Sequence, residues 1–279
     1  MSYKTLNVEI NNQVAQVQLS RPDELNTMNL DFWKEFPRAI SEIGNSAEAR
    51  VIVLSSTGKH FCAGMDLSVF TSPDSIPMQG DPARIAENLR RAVLQLQDCF
   101  NILENVRIPV LAAIQGGCIG GALDMVCASD SRYCTKDAFF TVKETQLGMT
   151  ADLGTLQRLP GLIPQGLARE LAYTGRKLLA DEAKQAGLVN EVFDNREELI
   201  EGVMKVAELI ARQSPMAVAG CKEMINYSRD HGVENSLKYM ATWQAGMFRP
   251  QDMMKCFAAK AQKKDPEFDP LLPVKPLFE

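Results

Sequence analysis

The chain has 279 residues, 46% hydrophobic and 23% charged, proportions that fit a soluble globular protein with a sizeable core. Its formal net charge of −5 argues against nucleic acid as the main partner, because phosphate binding is driven by clustered Lys and Arg; a local basic patch for a small anion stays open. The seven cysteines are scattered without a C-x-x-C pair and read as reduced thiols, and His60 and His231 alone give little material for a metal site or a Ser-His-Asp triad.

From the N-terminus, Lys4 to Ile10 and Val14 to Leu19 alternate apolar and polar residues around Asn11-Asn12, which predicts a hairpin. A turn-rich loop, Ser20 to Asn26, follows. Leu30, Trp33, Phe36, Ile40 and Ile43 then share one face of an amphipathic helix. Val51-Ile52-Val53-Leu54 is all apolar, as in a strand covered on both faces. Asp81-Pro82 opens a long helix, with Asp as N-cap and Pro at the first helical position. Its stripe reads Ile85, Leu89, Ala92, Leu96, Cys99 and Leu103, and Pro109 to Ile114 is the next buried strand. This alternation implies a largely parallel sheet with crossover helices. From Arg196 onward the pattern is helical, divided at Pro215 and Pro250. The expected division is therefore a sheet-based core over 1–195 and a helical region over 196–279. The tail from Asp265, with four prolines, is expected to lie extended on the surface or on a partner. No apolar run approaches transmembrane length, no leader segment is expected, and the end Leu277-Phe278-Glu279 is no peroxisomal address; the expected home is the cytoplasm, away from membranes.

Three acids, Asp124, Glu144 and Asp152, stand in a stretch otherwise poor in charge. An acid among apolar neighbours is costly to ionise, so its pKa tends to rise toward the range useful for proton transfer. Two segments rich in small residues, His60 to Leu67 and Gln115 to Ala122, follow the two buried strands. Each either permits a tight strand-to-helix turn or brings backbone N–H groups close to a ligand, where two converging donors can hold an enolate oxygen.

Taken together, these segments resemble the crotonase, or enoyl-CoA hydratase/isomerase, superfamily. The matching residues are Ala63-Gly64-Met65-Asp66-Leu67, Ala113-Ile114-Gln115-Gly116, Gly120 to Asp124, Asp130, Phe139 to Glu144, Gly148, Gly154 to Leu159, Ala180 to Ala183 and Gly187-Leu188-Val189. Hydratases of that superfamily carry glutamates at the positions of Asp124 and Glu144 and a glycine at that of Asp152. The departure here is similar to the Δ3,5-Δ2,4-dienoyl-CoA isomerases, as are Asp130 to Thr135, Tyr227 to His231 and Ala241-Thr242-Trp243. The resemblance implies an α/β fold, a spiral of ββα turns closed by a C-terminal helical trimerisation region, assembled as a trimer or a dimer of trimers. It implies an acyl-CoA thioester as substrate, in fatty-acid β-oxidation, with no further cofactor and no metal. Its carbonyl is expected in an oxyanion hole formed by the N–H groups of Met65 and Gly121. The substrate-binding set implied is Leu25, Ala63, Gly64, Asp66 and Gly120, with the nucleotide near Ser20 to Asn26 and its phosphates near Lys260, Lys263 and Lys264, which equally read as a solvated helix face. By the same resemblance Glu144 acts at C2; Asp152 is inferred to act at C6, the exchanged assignment staying open, with Asp124 polarising or hydrogen-bonding the pair or serving as a structural hydrogen-bonder. Two other readings stay open: a 2-enoyl-CoA hydratase, and a non-catalytic binding protein on the same fold.

Overall fold

Strands β1 (Leu6–Asn11) and β2 (Val14–Leu19) form the expected hairpin, with Asn11 opposite Val14. Its turn falls on Asn12 and Gln13, both at positive φ. The structure, a computed structural model, describes residues 3–71 and 80–275. Helix α1 (Leu30–Ser46) is capped by the Asn29 side chain, which accepts from the Phe32 N–H. Strand β3 (Val51–Ser56) is buried at every position. After the short α2 (Ser68–Thr71), α3 (Pro82–Asn105) begins as read, with the Asp81 carboxylate accepting from the Arg84 N–H. There follow β4 (Val110–Ile114), β5 (Gly117–Ile119), α4 (Gly121–Cys127), β6 (Ser131–Thr135), β7 (Phe139–Thr141) and a 3₁₀ turn over Glu144–Leu147. Then come α5 (Thr155–Leu162), α6 (Gln165–Thr174), β8 (Leu178–Leu179), α7 (Ala180–Ala186) and β9 (Glu191–Phe193). The chain closes with α8 (Arg196–Ala211), α9 (Pro215–Met247) and α10 (Pro250–Ala261).

A six-stranded sheet runs β1-β2-β3-β4-β6-β9, parallel from β2 onward. One face meets α1 and the end of α3. There Trp33 and Phe100 pack with ring centroids 5.3 Å apart, and Phe36 meets Phe100 edge-on. The other face is covered by α8, whose Leu199, Val203, Ala207 and Ala211 pack on Val51, Val53, Leu111, Ala113 and Tyr133. That double cover is the reason β3 is buried at every position and β4 is apolar throughout.

The division expected at residue 195 falls just before α8, which packs on the sheet; helical periodicity reveals that α8 has an apolar face, not what lies against it. One expectation needs correction. The apolar stripe of α3 is buried only toward its end, at Phe100 and Leu103; Leu89 is 41% exposed, because the aromatic contacts with α1 fall on that end alone. A second sheet, β5-β7-β8, was not anticipated, since its strands of two or three residues are too short to show a period.

Pro215 and Pro250 stand at the starts of α9 and α10 rather than inside them. The first part of α9 is anchored by Lys222, whose buried Nζ donates to Leu103 O (2.6 Å), Ile108 O (3.1 Å) and Asp130 Oδ2 (2.8 Å). Gly232 (φ 72°, ψ 166°) bends the helix, and beyond it Leu237, Met247, Phe248, Met254 and Phe257 are exposed on this protomer. The tail lies extended: Arg50 and Arg107 donate to the carbonyls of Phe268 and Leu272, and the Val274 N–H donates to Asn45 O.

Candidate active site

Two loops meet between the sheets. Cys62 pairs with Cys118 as an isolated parallel bridge, with Cys62 N–H to Gly117 O and Ile119 N–H to Cys62 O, both 3.1 Å. On its other side the same loop is held by Met28, through Met28 N–H to Gly64 O (2.9 Å) and Asp66 N–H to Met28 O (3.1 Å). The approach demands glycine. Gly64 has φ +91°, and a Cβ there would lie 2.8 Å from Ile119 O and 3.6 Å from Gly121 N. Gly120 donates to Thr141 O (3.0 Å). Among the described residues, the N–H groups of Met65 and Gly121 donate to no protein acceptor. They are neighbours, since a Cβ on Gly121 would stand 3.9 Å from Met65 N. Two free donors side by side form the geometry that an oxyanion requires.

Asp124 points inward from α4 and is 1% exposed. Its Oδ1 accepts the Thr155 N–H at 2.5 Å. Burial pushes its pKa from 3.8 up to about 7 against the opposing pull of the Thr155 bonds, and the charges of Glu144 and Asp152 push the same way as burial. Glu144 opens the 3₁₀ turn, which is tied to the end of α6 by Thr145 Oγ1 to Ala172 O (2.6 Å) and Gln146 Nε2 to Thr174 O (3.1 Å). Its Oε1 lies 2.9 Å from where a Gly120 Cβ would be, which places the carboxylate against the oxyanion loop. Its Oε2 is buried without a hydrogen-bond partner, and burial first, then the charge of Asp152, raises its pKa. Asp152 follows on an irregular segment and is raised by burial. The fold thus draws together three acids that sequence order spreads over 28 positions: the charges of Glu144 and Asp152 act on Asp124, and that of Asp152 acts on Glu144.

The remaining expected residues fall in different places. Leu25, at φ 54°, accepts the Ala63 N–H (3.0 Å), so the Ser20 to Asn26 loop does border the Ala63-Gly64 turn. The Asp66 carboxylate is taken up by the chain itself, by Thr27 Oγ1 (2.7 Å), Ser68 N–H (2.9 Å) and Arg21 (3.5 Å), which lower its pKa to about 2. It braces the two loops against each other. Lys263 sits just past α10, and no hydrogen bond or ion pair among the described residues joins it to this site. His60 accepts the Gly117 N–H at Nδ1 (2.9 Å) and thereby supports the β4–β5 turn. Thr155 and Gln97, which bond to Asp124 and to the Asp152 carbonyl, were missed; only the Gly154-Thr155 helix start marked the first of them. Among the described residues no cluster of His, Cys, Asp and Glu is arranged to hold a metal.

Residues 9–270 match the family model described as Enoyl-CoA hydratase/isomerase. The chain is 44% identical over 266 residues to a mitochondrial Delta(3,5)-Delta(2,4)-dienoyl-CoA isomerase of Pongo abelii, covering 95% of this chain and 81% of that protein. It is 43% identical to a peroxisomal protein of the same name from Arabidopsis thaliana, covering 96% and 98%. The crystal structure of an enoyl-CoA hydratase from Bacillus anthracis superposes with TM-score 0.85 at 30% identity, covering 95% of this chain and 99% of that one.

Proposed function

Since the chain belongs to the enoyl-CoA hydratase/isomerase family, we propose that it is an isomerase that converts 3,5-dienoyl-CoA into 2,4-dienoyl-CoA. One observation carries this reading: three desolvated carboxyl groups, Asp124, Glu144 and Asp152, gathered beside the free N–H groups of Met65 and Gly121. Hydration needs two acids around one water. Moving a proton from C2 to C6 needs a base at one end of the diene and an acid at the other.

In the proposed cycle the thioester oxygen accepts hydrogen bonds from Met65 and Gly121. Glu144, which lies against the oxyanion loop and so beside the α-carbon, takes the C2 proton as a carboxylate. The C–H electron pair moves into the thioester and leaves a conjugated enolate with double bonds at C1–C2, C3–C4 and C5–C6, whose oxygen the two N–H groups stabilise. As the carbonyl re-forms, double bonds appear at C2–C3 and C4–C5, and C6 takes a proton from the Asp152 carboxyl. One proton leaves the substrate and one arrives, so the product is an isomer. Glu144 then holds a proton that Asp152 lacks. Asp124, with a pKa near 7 and sensitive to both charges, offers the route for its return.

The CoA nucleotide is proposed to lie along the Ser20 to Asn26 loop, its phosphates met by Lys260, Lys263 and Lys264 of a neighbouring subunit. A threefold assembly is proposed because Leu237, Met247, Phe248, Met254 and Phe257 of the C-terminal helical region are large apolar side chains left exposed on this protomer, where neighbouring subunits would cover them. A monomer mass by light scattering at micromolar concentration would contradict it. No helix among the described residues is long and apolar enough to cross a membrane. A cytoplasmic location rests on cysteines read as reduced thiols, and imaging of the tagged chain decides between it and the compartments in the relatives' names.

The deciding assay supplies 3,5-dienoyl-CoA and follows the longer-wavelength absorbance of a diene conjugated with the thioester. Turnover there should far exceed hydration of crotonyl-CoA. Comparable or higher kcat/KM on crotonyl-CoA would assign the hydratase reaction instead.

A further inference from the structure

We propose that Gln97 is a positioning residue that aims Asp152, through a hydrogen bond from its side-chain amide to the Asp152 backbone carbonyl. This inference rests on the reading of Asp152 as the group that serves C6. The bond is short, Nε2 to O 2.6 Å. It joins the middle of α3 to a stretch, Thr150 to Leu153, that has no regular secondary structure. Upstream the chain is held by Met149 N–H to Glu144 O (3.0 Å), downstream by Thr155 N–H to Asp124 Oδ1 (2.5 Å). Between these points, among the described residues, Gln97 supplies the one hydrogen bond that ties the stretch to another element. Ala151 and Leu153 are buried and fix its depth, but apolar burial has no direction. A directional tie at Asp152 itself orients the backbone from which its carboxyl projects.

The face of α3 that carries Gln97 also bears a polar network. Gln97, Asn101 and Glu104 are spaced to share that face and line a cavity of about 570 Å³ together with Leu153 and Gly154. Arg158 of α5 enters this cavity and donates to Asn101 Oδ1 (2.6 Å) and Glu104 Oε2 (2.7 Å), while Arg229 of α9 pairs with Glu104 Oε1. The Arg158 guanidinium also rests on Gly154, where a Cβ would fall 1.9 Å from its Nη1, so the residue that ends the Asp152 segment is seated on the same network. The polar stripe of α3 therefore connects the two arginine-bearing helices to the Asp152 segment through one amide. A misplacement of about 1 Å at a reacting group can cost ~10²-fold in rate, which sets the scale of the effect.

The test compares Gln97→Leu and the equal-sized Gln97→Glu, whose carboxylate cannot donate, in the full-length protein and in an Asp152→Asn background. Both substitutions should lower kcat for isomerisation ~10–10²-fold, with KM little changed. Exchange of the C2 proton of bound substrate with solvent deuterium, which reports on Glu144 and the oxyanion hole, should persist. In the Asp152→Asn background the same substitutions should cost no more than about twofold further, because the carboxyl they aim is already gone. Equal losses in both backgrounds, or loss of C2 exchange in step with turnover, would overturn the inference while leaving the role of Asp152 intact. Near-normal turnover in Asp152→Asn alone would remove Asp152 from the reaction and the inference with it. The Leu and Glu substitutions differ in shape and charge, so a fold defect peculiar to one leaves the other to decide.

Discussion

Replacing Asp124 with Asn should stabilise this protein above neutral pH even as it impairs the reaction. Asp124 is buried and its pKa rises from 3.8 to about 7. At ~1.36 kcal/mol for each tenfold change in proton affinity, the ionised form is disfavoured in the fold by about 4 kcal/mol. Glu144 and Asp152 titrate with it and share part of that cost, so about 2–4 kcal/mol is expected at this position. The sign follows from proton binding: between pH 4 and 7 the folded state keeps a proton that the unfolded chain has lost, so stability falls as pH rises through that window and is level on either side. Asn keeps an oxygen for the Thr155 N–H and removes the titration. Denaturant unfolding of both proteins, at equal concentration and at half-unit steps from pH 4 to 8.5, measures the difference. The two should coincide near pH 4, and the variant should lead by about 2–4 kcal/mol at pH 8. Parallel curves across the range, or a wild type that is the more stable at pH 8, would refute the claim that burial of Asp124 is held against its charge.

Three further outcomes are expected. Glu144→Gln and Asp152→Asn should each lose isomerisation by ~10²–10⁴-fold, but only Asp152→Asn should still exchange the C2 proton with solvent deuterium; the reverse pattern would swap their roles. Gly120→Ala places a Cβ 2.9 Å from Glu144 Oε1 at a φ of +55°, a strain of about 1–3 kcal/mol, so steady-state kinetics should show a lower kcat with a folded circular-dichroism spectrum, and an unaltered kcat would mean that the Glu144 carboxylate does not need this placement. Lys222→Met leaves two carbonyls and Asp130 without their buried ammonium and should cost about 3 kcal/mol by urea unfolding, toward the low end because the Asp130 side chain keeps 27% of its exposure; a loss below about 0.5 kcal/mol would show that α9 is anchored elsewhere.

Much of the local structure is written in neighbouring residues. Asp81-Pro82 caps and starts α3, the alternation around Asn11-Asn12 makes the first hairpin, and the unbroken apolar run at Val51 announces a strand covered twice. Each of these signals acts between residues a few positions apart, so sequence order preserves it. The chemical types at the site are legible for the same reason: three acids among apolar residues, and glycines where the backbone must turn through positive φ. The tertiary structure alone decided how those residues are used. Asp66 and Asp124 carry the same carboxyl group, yet Ser68, Thr27 and Arg21 hold Asp66 ionised, with a pKa near 2, while burial holds Asp124 near 7. The difference comes from desolvation and from which partners reach the carboxyl, Ser68 two residues on but Thr27 and Arg21 from a distant loop, quantities set by every atom packed around it and not by its sequence neighbours alone. The same limit hid α8 as the cover of the sheet and Gln97 as the tie on Asp152, 55 residues away. Periodicity says that a face is apolar or that an amide can donate; only the packed chain selects what that face or that amide meets.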